Sequence, residues 1–215
     1  MPTTTNSARE PPLRKSDRAR QAILEAARGL FAERGYDGTT VREVAARASI
    51  DPAMVIRYYG GKDELFVRAA EFDLRLPPLD QVPRVTIGEG LLRHYLQVWE
   101  KPQGNIGLAV LLRSAASNEL SAQKMREVFA GQVMPALARV GDRATAPQRA
   151  GMVASQLLGL ALTRYVLRFA PLVAMSVDEL VAYAAPTIQR YALGIDAPCP
   201  PACRSARRPA RRSQR

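Results

Sequence analysis

Cysteine is almost absent from this 215-residue chain. Cys199 and Cys203, four residues apart near the C-terminus, are its only two. Two thiols placed there build neither a disulfide scaffold nor a structural zinc site. Histidine is scarcer still, with His94 alone, which excludes a metal site built on a pair of histidines. No glycine-rich phosphate loop, nucleophile elbow or paired-carboxylate site stands out, so the sequence calls for no catalytic residue, cofactor or metal. Aromatic residues make up only 6%, and nothing alternates with period two for long, which argues against β-sheet. The longest uncharged run, residues 150–163, ends before Arg164 and falls short of the roughly 18 residues a membrane span needs. The first twenty residues are polar, with no apolar run to serve as a signal peptide. The expectation is a soluble, cytoplasmic, non-enzymatic protein with no membrane insertion.

Positive charge is plentiful: 31 Lys and Arg stand against 20 Asp and Glu, a net +11. Residues 1–78 carry +2, residues 79–196 carry +3, and residues 197–215 alone carry +6. A tail of that kind attracts nucleic acid or anionic membrane without any fold, so the total says little about the body. Residues 1–15 read as a flexible arm and the Pro/Arg-rich residues 197–215 as a disordered tail.

Between these ends the periodicity is helical throughout. Ile23, Ala26, Ala27, Leu30 and Phe31 form one apolar stripe on a helix over Asp17–Arg34, ended by Gly35. Thr40 caps a short helix to Ala48 that buries Val41, Val44, Ala45 and Ala48. Asp51 and Pro52 start another to Tyr59, because proline at the first helical position lacks only an N–H that had no partner. A fourth runs Lys62–Leu76, burying Leu65, Phe66, Ala69, Phe72 and Leu76. Pro77, Pro78 and Pro83 mark a boundary. Beyond it the pattern predicts helices at Ile87–Glu100, Gly104–Ser117, Ser121–Val140 (bent near Gly131 and Pro135), Pro147–Phe169 and Val177–Leu193. The predicted fold is all-α with about nine helices. A helix-turn-helix unit of three to four helices (residues 16–76) precedes a five-helix ligand-binding and dimerisation body (residues 77–196).

Two short helices three residues apart and packed on a longer one form a helix-turn-helix. In the second of them Val55 and Tyr59 share an inward edge, while Ala53, Met54, Arg57 and Tyr58 lie opposite. That is the composition of a helix that meets base edges and thymine methyls, with Arg57 able to bond guanine or phosphate. Thr40, Arg42 and Lys62 stand at helix starts, where backbone N–H groups favour anions, and Asp51 and Pro52 open the reading helix.

The run AILEAARGLFAERGYDGTTVREVAARASIDPAMVIRYYGGKDELF (Ala22–Phe66) resembles the DNA-binding domain of the TetR family of bacterial transcriptional repressors. Gly35-Tyr36, Thr39-Thr40, Val44-Ala45, Tyr58-Tyr59, Lys62 and Glu64-Leu65-Phe66 stand in register with that family's pattern. Four positions depart from it. Ser49 replaces the usual turn glycine, Asp51 the usual Ser, Ile56 the usual phosphate-contacting Tyr, and Tyr58 the frequent His. The resemblance implies a homodimer that binds a palindromic site in double-stranded DNA and is released by a small molecule. A different reading, motivated by Asp51 and Ile56, is a helical protein-interaction module whose DNA contacts have decayed and whose basic tail tethers it non-specifically.

For the body, residues 152–162 are apolar almost all round and need cover on every side. Ala154, Leu157, Gly159 and Ala161, together with Leu180, Ala184 and Ile188, are the candidate dimer face, in accord with the family's use of its last two helices. Candidate effector-pocket residues are Tyr95, Trp99, Met125, Phe129, Leu158, Leu162 and Tyr165, joined by Met134 and Phe169, with His94 and Arg164 as polar anchors.

Overall fold

The first apolar stripe becomes a helix at the place its period requires. In the computed structural model, which describes residues 14–100 and 106–194, α1 (Lys15–Arg34) buries Ile23, Ala26, Ala27, Leu30 and Phe31 and ends at Gly35, φ +73°. α2 (Val41–Ala48) opens on a reciprocal cap: Thr40 Oγ1 accepts from the Glu43 N–H, and the Glu43 carboxylate accepts from the Thr40 N–H. α3 (Pro52–Tyr59) opens on Asp51, whose carboxylate accepts from the Ala53 N–H at 2.7 Å. Between them Ser49 takes the left-handed conformation, φ 56° and ψ 42°, at a cost of roughly 1 kcal/mol for a residue with a Cβ. Exposed ion pairs Arg34–Glu43 and Arg47–Glu33, both 2.8 Å, align α1 with α2. Phe66 meets Phe31 and Tyr36 edge to face, each at 5.1 Å, in the middle of this unit.

α4 (Lys62–Ala69) is shorter than its periodicity predicts and does not reach Leu76. The backbone groups of Phe72 and Leu74 are taken by long-range partners instead of by helix. Gln132 donates to the Phe72 carbonyl at 2.9 Å and accepts from the Leu74 N–H at 2.7 Å. His94 Nε2 donates to the Leu74 carbonyl at 2.7 Å. Asp73 accepts from the Arg75 N–H, and Arg75 turns to φ +47°. Phe72 and Leu76 still pack half-buried against the first core.

Two 3₁₀ turns (Leu79–Gln81, Arg84–Thr86) lead into α5 (Ile87–Glu100). Then follow α6 (Ile106–Ser114), α7 (Glu119–Val128), α8 (Met134–Ala138), α9 (Ala146–Ala161), α10 (Ala170–Ala174) and α11 (Val177–Leu193), with no strand among the described residues. The bend expected at Gly131 and Pro135 is a π turn at Phe129–Val133 joining α7 to α8. A proline there cannot donate to the carbonyl four residues back, and the wider turn absorbs the mismatch. The helix predicted for Pro147–Phe169 instead passes through a second π turn, Leu162–Val166, and stops. Arg168 lies at φ +55° and the Phe169 N–H closes on the Thr163 carbonyl at 2.9 Å. α10 is therefore one helix more than the nine expected, if α7 and α8 are taken as one bent helix. The helix expected to begin at Gly104 is described only from Ile106 and ends at Ser114; the arm before Arg14 and the tail with Cys199 and Cys203 lie outside the described residues.

The body is centred on α5 crossing α11. Their backbones approach at Gly88, whose N–H donates to Gln189 Oε1 at 2.6 Å, while Gln189 Nε2 donates to the Arg84 carbonyl. Arg149 is buried at the other end of this core. It donates to the carbonyls of Ala192, Leu137 (3.2 Å) and Asp142 (2.7 Å), and to Thr145 Oγ1. It thereby joins the C-terminal ends of α8 and α11. The prolines at 77 and 78 separate chain segments but not cores: Val110 and Leu111 of α6 and Val128 of α7 belong to the core of α1–α4. Buried Ser114 accepts a hydrogen bond from the Tyr36 N–H at 2.9 Å.

Candidate nucleic-acid interface and internal cavity

Helix α3 presents its outward face because Val55 is the one residue of it fully buried. Pro52, Ala53, Ile56 and Arg57 are exposed, Ile56 to 54%. Met54 and Tyr58, placed on this face from the sequence, are half-buried. Tyr59 ties the end of α3 to α1 by donating to the Arg20 carbonyl at 2.8 Å. This draws Arg20 to 5.1 Å over the Tyr58 ring, a basic group that no local pattern announced, since it lies 38 residues away. Ile56 was read only as a departure from a family pattern, yet it is the most prominent apolar side chain on the helix.

The helix starts around α3 are more fully used than free N–H groups would be. Thr40 is exposed, but its N–H and hydroxyl both donate to Glu43 Oε2 at 2.8 Å. These two bonds hold the Glu43 carboxyl below its usual range. Arg42 is exposed, and Asp51 is committed to its cap. At the start of α4, where no side chain supplies a cap, Lys62 Nζ sits 4.1 Å over the Tyr36 ring. The Tyr36 hydroxyl donates to Asp63; burial, and then that carboxylate, push the phenol up to about 12, so the ring remains neutral beneath the lysine.

Inside the body lies an apolar cavity of about 80 Å³. Tyr95, Met125, Phe129 and Leu158 line it as the sequence suggested, together with Leu74 and Leu76 of the linker. Ala154 and Leu157, expected at a dimer face, line it as well. Trp99, Leu162 and Tyr165 are not among its walls. Trp99 and Tyr165 stack at 4.9 Å, nearly parallel, alongside, and Leu162 opens the second π turn. Met134 packs against the second core and Phe169 is exposed. His94 is occupied by the Leu74 carbonyl, and Arg164 donates to the carbonyls of Leu172 and Met175, so neither reaches the cavity.

Of the residues expected to meet a partner subunit, Ala161, Leu180 and Ile188 are buried within their own chain, Ala184 is half-buried and Gly159 is exposed. Three of the seven residues expected at a dimer face therefore belong to the core of their own chain. Large apolar side chains that do reach the surface here are Met152, Leu167, Phe169, Val173 and Tyr183, the last 80% exposed.

Residues 23–69 match the family model described as bacterial regulatory proteins, tetR family, and residues 86–192 match the tetracyclin repressor-like C-terminal domain. A solved TetR-family regulator from Streptomyces coelicolor is similar over 85% of this chain and 99% of its own, with 32% identity and a TM-score of 0.55. The chain belongs to the TetR family. Among curated members, the transcriptional repressor Rv3405c of Mycobacterium tuberculosis is 50% identical over 44 residues, which are 20% of this chain and 23% of that one. The repressor AcnR of Corynebacterium glutamicum is 39% identical over 59 residues, 27% of this chain and 31% of that one. These matches span less than a third of the curated relatives' length. The TetR family supplies a common framework here, a helix-turn-helix on an all-helical body, and among the described residues no helix is long and apolar enough to cross a membrane.

Proposed function

We propose that this TetR-family regulator is a cytoplasmic repressor, that residues 16–76 read a palindromic operator in double-stranded DNA as one half of a homodimer, and that a small apolar effector in the body releases it. The observation that carries DNA reading is the outward face of α3. Ala53, Ile56 and Arg57 are exposed on a short helix anchored at both ends and surrounded by Arg42, Lys62 and Arg20. The apolar groups suit thymine methyls, Arg57 suits guanine, and the flanking cations suit phosphates. The relatives that carry the word repressor support the sign of regulation. The exposed Met152, Phe169 and Tyr183 near α9–α11 support pairing of two copies, with Gly159 allowing close approach. Release requires that an occupied body favour a dimer whose two α3 helices no longer sit about 34–36 Å apart, one turn of DNA.

Selection from random duplex DNA, followed by binding at physiological salt, tests this reading. Two subunits should occupy one two-fold symmetric site, with a preference over scrambled DNA of about 10³-fold or more. Arg57→Ala should cost about 1–3 kcal/mol on the selected site and much less on scrambled DNA. Equal losses on both duplexes would remove base reading by α3.

A further inference from the structure

Ile56 is the one large aliphatic side chain that α3 turns to the outside. Val55 beside it is buried, Met54 is half-buried, and Ala53, one turn earlier on the same face, carries a single methyl. Cations stand around this apolar spot: Arg57 next along the helix, Arg42 at the start of α2, and Arg20 drawn over Tyr58. Asp51, the acid at the start of the helix, is committed to its cap. A charged rim around an apolar centre matches a duplex, whose phosphates border the groove while the base edges lie within it. Base edges in the major groove carry hydrogen-bonding groups and one apolar group, the methyl at C5 of thymine. Isoleucine has no donor and no acceptor. Set against a purine N7 or O6, or against the amino group of cytosine, it would strip water from a polar atom and replace nothing. Against a C5 methyl it gains buried apolar area on both sides.

We infer that Ile56 reads the methyl group at C5 of a pyrimidine, at one base pair of each half-site, and that the protein therefore tells 5-methylcytosine from cytosine as well as thymine from uracil. The inference rests on the reading of DNA by α3 proposed above and names the group that one of its side chains selects. Both methylated pyrimidines present the methyl at the same place on the edge of the base. Methylation of a cytosine there supplies the contact after the DNA has been made, so a methylated copy of such a site is held more tightly than an unmethylated one. The way α3 is mounted favours the assignment. Asp51 and Pro52 fix its first turn, and Tyr59 ties its last turn to α1, so Ile56 stands on a short helix fixed at both ends. A β-branched side chain in a helix is largely confined to one χ1 rotamer, so its methyls are presented with little entropy left to lose on contact.

The test uses the full-length protein and the duplex recovered by selection from random DNA. Each thymine is replaced in turn by deoxyuridine, symmetrically in both half-sites, which removes the methyl and leaves every hydrogen-bonding group in place. At one position the replacement should weaken binding about 4-fold per half-site and about 15-fold for the pair, the equivalent of one buried methyl in each. A cytosine–guanine pair at that position should bind more tightly by a similar factor when the cytosine carries its 5-methyl group. Ile56→Ala should bind the thymine and uracil duplexes alike, and methylated and unmethylated cytosine alike. Its melting temperature should stay close to that of the unmodified protein, because the exposed side chain supports no core. A selected two-fold site with no uracil-sensitive thymine would overturn the inference and leave base reading by Arg57 standing. So would a uracil effect that survives Ile56→Ala, which would give the methyl to another side chain, or a cytosine whose methylation changes nothing. No selected site at all would overturn DNA reading by α3, and this inference with it.

Discussion

Gly88→Ala should lower the melting temperature by about 6–12 °C, the equivalent of about 3 kcal/mol in a chain of this size. A Cβ at Gly88 would lie 2.5 Å from the Ala185 carbonyl oxygen, 2.5 Å from the Gln189 nitrogen and 2.7 Å from its Cα. All three are backbone atoms, so no rotamer change relieves the clash and α5 must back away from α11. Separation also breaks the Gly88–Gln189 hydrogen bond and opens the core that holds Leu92, Leu96 and Ile188. Gly90→Ala is the control on the same helix: its Cβ would meet only Val82 Cγ1 at 3.8 Å, and the change should be neutral or stabilising by roughly 0.5–1 kcal/mol. Differential scanning fluorimetry at equal protein concentrations separates the two. A Gly88→Ala protein that melts with the unmodified one would show that the helices do not meet at this distance.

Arg149→Met should cost about 3–4 kcal/mol, read as a fall in the urea midpoint with little change in slope. Methionine replaces the stem of the side chain but none of its donors. The carbonyls of Leu137, Asp142 and Ala192 would lose the guanidinium they share, that of Ala192 in the last turn of α11, where no helical N–H reaches it. Burial holds the Arg149 pKa below that of a free guanidinium, partly offset by Asp142, so the fork is kept for its geometry despite a desolvation cost. Arg149→Lys should recover only part of the loss, since an ammonium is compact and cannot span three separated acceptors. Full recovery by lysine would mean that charge alone matters there.

What could be read from the sequence was what neighbours along the chain decide. The Thr40 and Asp51 caps, the Pro52 start and the limits of α11 depend on residues within one helical turn, and they appear as written. The early end of α4 does not, because the donors that draw residues 72–75 out of the helix, Gln132 and His94, come from 60 and 20 residues away. Arg20 over Tyr58 is hidden for the same reason. Among the residues expected at a dimer face, Ala161, Leu180 and Ile188 followed the apolar period but lie in the core of their own chain. Ile188 and Tyr183 are both large side chains on α11, and only packing reveals that one is buried and the other bare. The cavity was partly legible: Tyr95, Met125, Phe129 and Leu158 followed from helical spacing, whereas its linker wall followed from the failure of a helix that spacing had predicted.

Helix α6 belongs to two bodies at once. Its Val110 and Leu111 sit among Phe31, Leu65 and Phe66, its Leu108 faces Tyr95 and Trp99, and its Ser114 holds the backbone at Tyr36. A free hinge at Pro77-Pro78 is therefore barred: α1 cannot swing on the linker without shearing across α6. What is left is a lever with α6 as its fulcrum. The linker is the short arm, reaching α4 from one side, and α2 with α3 is the long arm. A displacement of the linker smaller than a side chain then becomes a tilt of α3. In the two-fold dimer proposed above that tilt would occur twice in opposite senses, so the spacing between the two α3 helices would change even though neither unit is deformed.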